Sequence, residues 1–263
     1  MGDFRAIAEA FVDARRGARA LPDYPGAVPQ DLAGAYQIQD AAIAIDGRMI
    51  VGWKVGRINA PLDAQLGTNR LAGPIFADTV AVAAGGMPDM PVFAEGFAAA
   101  EAELLLHIAP GNADARPATD AETRLVIDEV RLGIEIASSP YPGINSDGPA
   151  VTASDYGNNH GLVIGAALDG WQDVDLCAIP VRTLIDGEVI GSATAATMLD
   201  GPYGAVRFLL ANLASRGIDI STGVWVSSGA ITGVHPVKPG QRVEAVFGAH
   251  GSVICTIGTA KVV

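Results

Sequence analysis

Glu101 and Glu103, in the run Ala98-Ala-Ala-Glu-Ala-Glu-Leu-Leu-Leu-His-Ile108, raise the first chemical question in this sequence. In a strand, residues i and i+2 share a face. Both carboxylates then project to one side, about 7 Å apart along the chain at ~3.3 Å per residue. Their Ala and Leu surroundings offer little solvation, and like charges in an apolar setting repel and are costly to desolvate. The strand face could simply be exposed. Otherwise the pair is relieved by protonation or by a shared divalent cation. A third carboxylate weighs toward the cation: Glu135 stands in the centre of the apolar strand Arg131-Leu-Gly-Ile-Glu-Ile-Ala-Ser138. Ile134 and Ile136 face away from it, small Gly133 and Ala137 leave space beside it, and Glu is seldom buried without a partner. Three carboxylates without a His or Cys cluster suit a hard ion, Mg²⁺ or Mn²⁺, with water or substrate completing an octahedron.

Lys54 lies in Gly52-Trp-Lys-Val-Gly56, inside an apolar strand. It reads either as a snorkelling edge residue or as a group that binds a substrate carboxylate or moves a proton. Asp78, in Gly73-Pro-Ile-Phe-Ala-Asp78-Thr79, reads as a turn residue or cap, or as a general acid/base. Ser227-Ser-Gly-Ala230 follows an apolar strand, where small residues let a ligand approach and free N–H groups can hold an anion. The loop Ser154–Gly161, containing Asn158, has ordinary turn composition. His107 and His235 are expected to be structural, and Gly-rich runs such as Ala84-Gly-Gly86 lack the helix that a phosphate cradle requires.

The elements that must position these residues change character along the chain. Asp3–Ala18 and Asp31–Arg48 have the apolar spacing of amphipathic helices, joined by the Pro-rich stretch Leu21–Pro29. Met49–Val55 reads as a strand and Ala60–Leu66 as a short helix. From Gly73 onward strands dominate: Pro74–Ala77, Glu101–Ile108, Glu129–Ala137, His160–Ala166, Ala178–Ile185, Glu188–Thr194, Gly223–Ser227, Arg242–Phe247 and Gly251–Val263. Asp186-Gly187 is a two-residue hairpin signal, and one helix, Gly204–Arg216, interrupts the strands with Gly217 as its stop. The expected layout is α+β: a helical N-terminal portion over residues 1–70 and an antiparallel β-rich catalytic domain over residues 71–263.

Composition narrows the classes. At 49% hydrophobic residues a substantial core can be buried. A net charge of -12 without a basic run argues against nucleic acid as a partner. Cys177 and Cys255 read as reduced core residues, not a disulfide frame. Met1–Ala20 carries Asp3, Glu9 and Asp13 and no unbroken apolar core, so no signal peptide is expected. No segment approaches the ~18 apolar residues of a membrane span. A cytoplasmic chain with no membrane partner is the expectation.

Taken together, Gly52-Trp-Lys-Val-Gly56, Gly73–Asp78, Glu101-Ala-Glu103, Gly133-Ile-Glu135-Ile, Asn158-Asn-His-Gly161, Val226–Ala230, Pro239–Glu244 and Gly251-Ser-Val253 resemble the 2-keto-4-pentenoate hydratase and 4-oxalocrotonate decarboxylase branch of the fumarylacetoacetate hydrolase superfamily. The likeness runs in order through nearly the whole chain. It implies a mixed β-roll with a small helical N-terminal portion, and a homo-oligomer that can associate with a related decarboxylase, hydratase or downstream aldolase. It implies Glu101, Glu103 and Glu135 as ligands of Mg²⁺ (or Mn²⁺), Lys54 and Asp78 as catalytic residues, and Ser228, with Gly229 and Asn158, as substrate-binding. The implied reaction is hydration of a 2-hydroxy-2,4-dienoate to a 4-hydroxy-2-oxo acid, in the catabolism of aromatic compounds. Decarboxylation of a 2-oxo-3-enedioate is the alternative, with acylpyruvate hydrolysis behind both. Members often carry an Arg shortly before the Glu-x-Glu pair, where this chain has Ala98, Ala99 and Ala100. A substrate-anchoring cation is then absent or supplied elsewhere, with Arg57 and Arg70 as the alternatives.

Overall fold

The computed structural model describes residues 4–83 and 85–262. Asp3, Ala84 and Val263, which fell within the sequence readings, lie outside the described residues. The chain opens with helices α1 (Phe4–Arg16) and α2 (Leu32–Asp46), then β1 (Ile50–Arg57), a short α3 (Leu62–Leu66), β2 (Arg70–Phe76), β3 (Val80–Val82) and β4 (Asp89–Val92). The long strands β5 (Phe97–Ile108) and β6 (Ile127–Ser139) flank α4 (Asp120–Arg124), and α5 (Pro149–Ser154) precedes β7 (Asn159–Ala167). The remainder is β8 (Pro180–Ile185), β9 (Glu188–Thr194), α6 (Gly201–Ser215), β10 (Val224–Ser227), β11 (His235–Pro236), β12 (Arg242–Phe247) and β13 (Ser252–Thr259). None of the described helices is long and apolar enough to cross a membrane.

Local chemistry sets the ends of these elements. Asp31 caps α2 by accepting from the Gly34 N–H at 2.7 Å, and Gly47 closes the helix in a left-handed conformation. Asp186 and Gly187 both have positive φ, 52° and 85°, the primed-turn geometry that joins β8 to β9.

The strands form two sheets. The larger runs β2-β1-β10-β5-β6-β7-β3 with β11 added on β5, and the smaller runs β4-β13-β12-β8-β9. β1, which the sequence reading grouped with the N-terminal portion, sits inside the large sheet between β2 and β10. The strand pattern alone suggests an antiparallel body, but β1–β10, β3–β7 and β13–β4 are parallel, in keeping with the mixed β-roll that the resemblance implies. Partners so distant in sequence are not oriented by a hairpin, so local turn signals carry no information about their direction. The arrangement is α+β with mixed sheets. One face of the large sheet presents Trp53, Ala102, Leu104 and Ile134 to the small sheet and α6, forming the main core. Phe11, Ile38 and Tyr156 form a second cluster that seats α1 and α2 on the chain.

A buried ion pair ties α1 to the far side of the large sheet. Arg15 donates to both carboxylate oxygens of Asp155, at 2.6 and 2.9 Å, and to the carbonyls of Asn159 and Ser138 at 3.1 and 3.2 Å. Ser139 Oγ also donates to Asp155, at 2.6 Å. Removing one partner of a buried pair leaves an uncompensated charge. Arg15→Met should therefore lower unfolding stability by about 3–5 kcal/mol in chemical denaturation. Adding Asp155→Asn should cost less than the sum of the two single changes.

Candidate metal centre

Strand register gathers the three glutamates. β5 and β6 pair antiparallel with Glu101 opposite Glu135 and Glu103 opposite Gly133. Glu101 and Glu103 share a face by alternation, and the cross-strand match puts Glu135 on it too. A one-residue slip would turn Glu135 into the core. One oxygen from each carboxylate lies within 4.8 Å of the others, and all three side chains are buried. Across the sheet, Lys54 pairs with Ser227 of β10, which pairs with Leu105 of β5. Trp53 and Val55 enter the core on the opposite face, so alternation along β1 delivers Lys54 to the glutamates.

Two strand–loop junctions hold these groups. At the end of β10, Ser227 Oγ and, just beyond it, the Gly229 N–H donate to Glu103 Oε2 at 2.5 and 2.9 Å. At the start of β7, Asn159 Nδ2 donates to Glu135 Oε1 at 2.9 Å, and in the loop before it Asn158 Oδ1 accepts from Lys54 Nζ at 3.0 Å. Asn158 Nδ2 in turn donates to Asn145 at 2.8 Å. This second loop is strained: Tyr156, Gly157 and Asn158 have φ of 55°, 60° and 60°. Such left-handed runs persist only where surrounding contacts over-determine them. Arg15 and Asp155 supply those contacts at its base. Gly73 does so above it, because a Cβ there would come within 1.9 Å of the Tyr156 carbonyl oxygen.

Electrostatics set the chemistry. Burial opposes the charge of Lys54, but Glu135, Glu101 and Glu103 outweigh it and hold the ammonium above its ordinary pKa. Its Nζ is 3.2 Å from Glu135 Oε2, an ion-pair contact outside hydrogen-bonding geometry. Burial pushes Glu101 up to about 7 against the pull of Lys54. Burial and the two neighbouring carboxylates lift Glu103 well above the carboxylate range. Glu103 Oε1 and Glu135 Oε2 have no hydrogen-bond donor. A buried polar atom left unsatisfied costs on the order of 1–3 kcal/mol, more when charged. With all three carboxylates ionised, as metal ligation requires, one ammonium would leave two negative charges unbalanced. The donor set, the orphaned oxygens and that charge deficit all fit a divalent cation bound through oxygen.

The cluster reaches, through Glu101 and Lys54, a cleft of about 520 Å³ that is also lined by Asn158, Ser228, Gly229, Arg57 and Arg70. Of the residues singled out in the sequence, Asp78 is not brought to this site. It is exposed at the end of β2, beside Arg48 at 3.4 Å, in a separate cleft. Lys54 faces Gly73 across β1 and β2. Asp78 lies five residues beyond Gly73, in the turn that follows the end of β2 at Phe76. His107 and His235 are engaged with Asp128 and Thr232, away from the cleft. The sequence reading missed Asn159, Ser227 and Asn145 as supports. The first two lie inside motifs it quoted, beside the residues it chose. Asn145 sits in an irregular loop with no local signal.

No family model matches the chain. A curated 4-oxalocrotonate decarboxylase from Pseudomonas sp. (strain CF600) is 28% identical over 253 residues, 92% of each chain. A 2-keto-4-pentenoate hydratase from Paraburkholderia xenovorans (strain LB400) is 26% identical over 208 residues, 79% of this chain and 76% of the relative. Among solved structures, 4-oxalocrotonate decarboxylase from Pseudomonas putida G7, complexed with magnesium and adipate, superposes with a TM-score of 0.79 at 23% identity over 97% of both chains. The resemblance seen in the motifs is borne out by relatives of both names and by a shared fold.

The raised Glu101 pKa has a definite sign. A carboxyl whose folded pKa exceeds its unfolded value contributes stability below the unfolded value, and this is lost as pH rises through the folded one. Metal-free protein should therefore lose thermal stability from about pH 4.5 to about 7. Over the same interval the stabilisation by added Mg²⁺ should grow, because binding requires ionised ligands. Paired thermal melts with Mg²⁺ and with chelator measure both trends.

Glu103→Gln should abolish the Mg²⁺-dependent rise in melting temperature without unfolding the chain, as read by thermal denaturation alongside circular dichroism.

Proposed function

With kinship to the hydratase and decarboxylase family as premise, we propose that this chain is a divalent-metal-dependent lyase that removes CO₂ from a 2-oxo-3-enedioate. The observation that carries the reading is the floor of the cleft: three buried carboxylates on one sheet face with one buried ammonium beside them. When bound there, a divalent ion supplies a Lewis acid for negative charge on the oxygens of a 2-oxo acid.

In the proposed reaction the C5–C6 bond breaks and C6 leaves as CO₂. Its electron pair forms the C4–C5 double bond, the former C3–C4 double bond shifts to C2–C3, and the C2 oxygen receives the charge and then a proton. The product is a 2-hydroxy-2,4-dienoate. Lys54 is the fixed positive charge for that oxygen. Its ammonium is stabilised by three carboxylates, which makes it a strong electrostatic partner and a poor proton donor. Asn158 aims Lys54, and Asn159 and Ser227 hold the carboxylates in place, so little reorganisation is needed as charge develops.

Hydration of a 2-hydroxy-2,4-dienoate is the second reading, favoured by the relatives that carry the hydratase name. It needs a base to take a proton from the water that attacks C4. Among the described residues the cleft is lined by no histidine and by one carboxylate, Glu101, which the metal reading already engages. Decarboxylation needs no such base. The same shortage of a water-activating group ranks acylpyruvate hydrolysis below both.

Product analysis separates the readings. With Mg²⁺, 2-oxo-3-hexenedioate should yield CO₂ and a dienoate in equal amounts, and chelation should stop it. Formation of a 4-hydroxy-2-oxo acid from the dienoate, with no CO₂ from the diacid, would instead establish hydration.

A further inference from the structure

Three cations line the cleft, and two already have carboxylate partners. Lys54 is paired with Glu135. Arg70 is paired with Asp200, which also accepts from Arg207 at 3.0 Å. Arg57, at the end of β1, has no carboxylate partner among the described residues. It is exposed, and among the described residues its side chain makes a long donation to the Thr197 carbonyl at 3.4 Å. In a chain with 29 acidic and 17 basic residues, partners for a guanidinium are abundant. One left unpaired on a cleft wall is therefore open to an anion from outside. Arg57 lies three residues past Lys54, about 10 Å along β1 at ~3.3 Å per residue; alternation starts its side chain on the other face from Lys54, and at the strand's last residue it reaches the cleft beside Thr197, well beyond the carboxylate cluster. Apolar Leu71 and Met198 also line the cleft, as does Ser228, whose buried Oγ has no hydrogen-bond partner.

We infer that Arg57 recognises a second carboxylate at the far end of the substrate, so that the cleft selects 2-oxo diacids over 2-oxo monoacids. This rests on the reading above for where the first carboxylate and the 2-oxo group bind. A guanidinium presents N–H donors in a planar fork that matches a carboxylate. Its exposure keeps the contact modest, and that suits the chemistry. The distal carboxylate loses its charge as CO₂ departs, so a tight grip would stabilise the substrate more than the transition state. Arg57 is thus a specificity residue that acts on binding and not on the bond-breaking step.

The test compares 2-oxoadipate with 2-oxohexanoate, which differ in the distal carboxylate, by calorimetry on the Mg²⁺-loaded protein. The diacid should bind about two- to fivefold tighter, the scale of one solvent-accessible charge-assisted contact. Arg57→Gln should erase that preference, and Arg57→Lys should keep part of it. In turnover of 2-oxo-3-hexenedioate, Arg57→Gln should raise KM by a similar factor without lowering kcat. Equal affinities in the wild-type protein, a preference that survives Arg57→Gln, or a fall in kcat at unchanged KM would each overturn the inference. An Arg57-dependent preference without turnover of either substrate class would sink the lyase reading alone. CO₂ release without such a preference would sink the Arg57 inference alone.

Discussion

Three carboxylates and one ammonium share a buried site with too little positive charge to balance it, and the rest of the fold is arranged around that imbalance. Burial in low dielectric penalises each ionised glutamate, and the glutamates penalise one another. Lys54 relieves part of this and is stabilised in return. What remains is a negative, oxygen-lined hollow with two acceptor atoms that no protein donor satisfies. Left empty, it is a source of instability. A divalent cation bound there would satisfy those atoms. Stability and function are therefore coupled through the same atoms.

The scaffold keeps those atoms in place by two separate means. β-sheet register does the first: long, regular pairing of β5 with β6 sets Glu101 against Glu135, and alternation along β1 sends Lys54 to the same face. The second is a strained loop. Tyr156, Gly157 and Asn158 hold left-handed conformations that an isolated chain would seldom visit. Arg15 reaches from the first helix to pin Asp155 and the Asn159 carbonyl. Helix α1, remote from the chemistry in sequence, is thus a structural condition for the orientation of Asn158 and Asn159. This explains how a small helical portion packed against the sheet matters to a site built from strands.

Charge also shapes how this protein meets its ligand. An acidic surface repels anions over about a Debye length, so an anionic substrate depends on positive charge placed within the cleft. Arg70 and Lys54 have internal partners that hold them in position, whereas Arg57 does not. The division of labour follows from position: Lys54 and Arg70 are buried and paired, while Arg57 is exposed.

Much of this was written in local pattern. Period-two spacing in β5 and the lone Glu in β6 identified the three acidic residues, because a carboxylate amid Ala, Leu and Ile has few physical explanations. Apolar periodicity located α1, α2 and α6, and Asp186-Gly187 located a hairpin, since these depend on neighbours within a few residues. Strand direction was not legible: β1 and β10 are parallel although both are short apolar runs, because their pairing joins residues near 53 and 226. Nor was the fate of Asp78, whose motif lies close to Lys54 in the chain but whose side chain the β1–β2 register carries to the other end of the pair. Residue types and short-range spacing are properties of the chain alone, so the sequence could name the three carboxylates. Which of them meet, and which cation at the cleft is left without a partner, depends on contacts between segments far apart in the chain, and only the folded structure decides those.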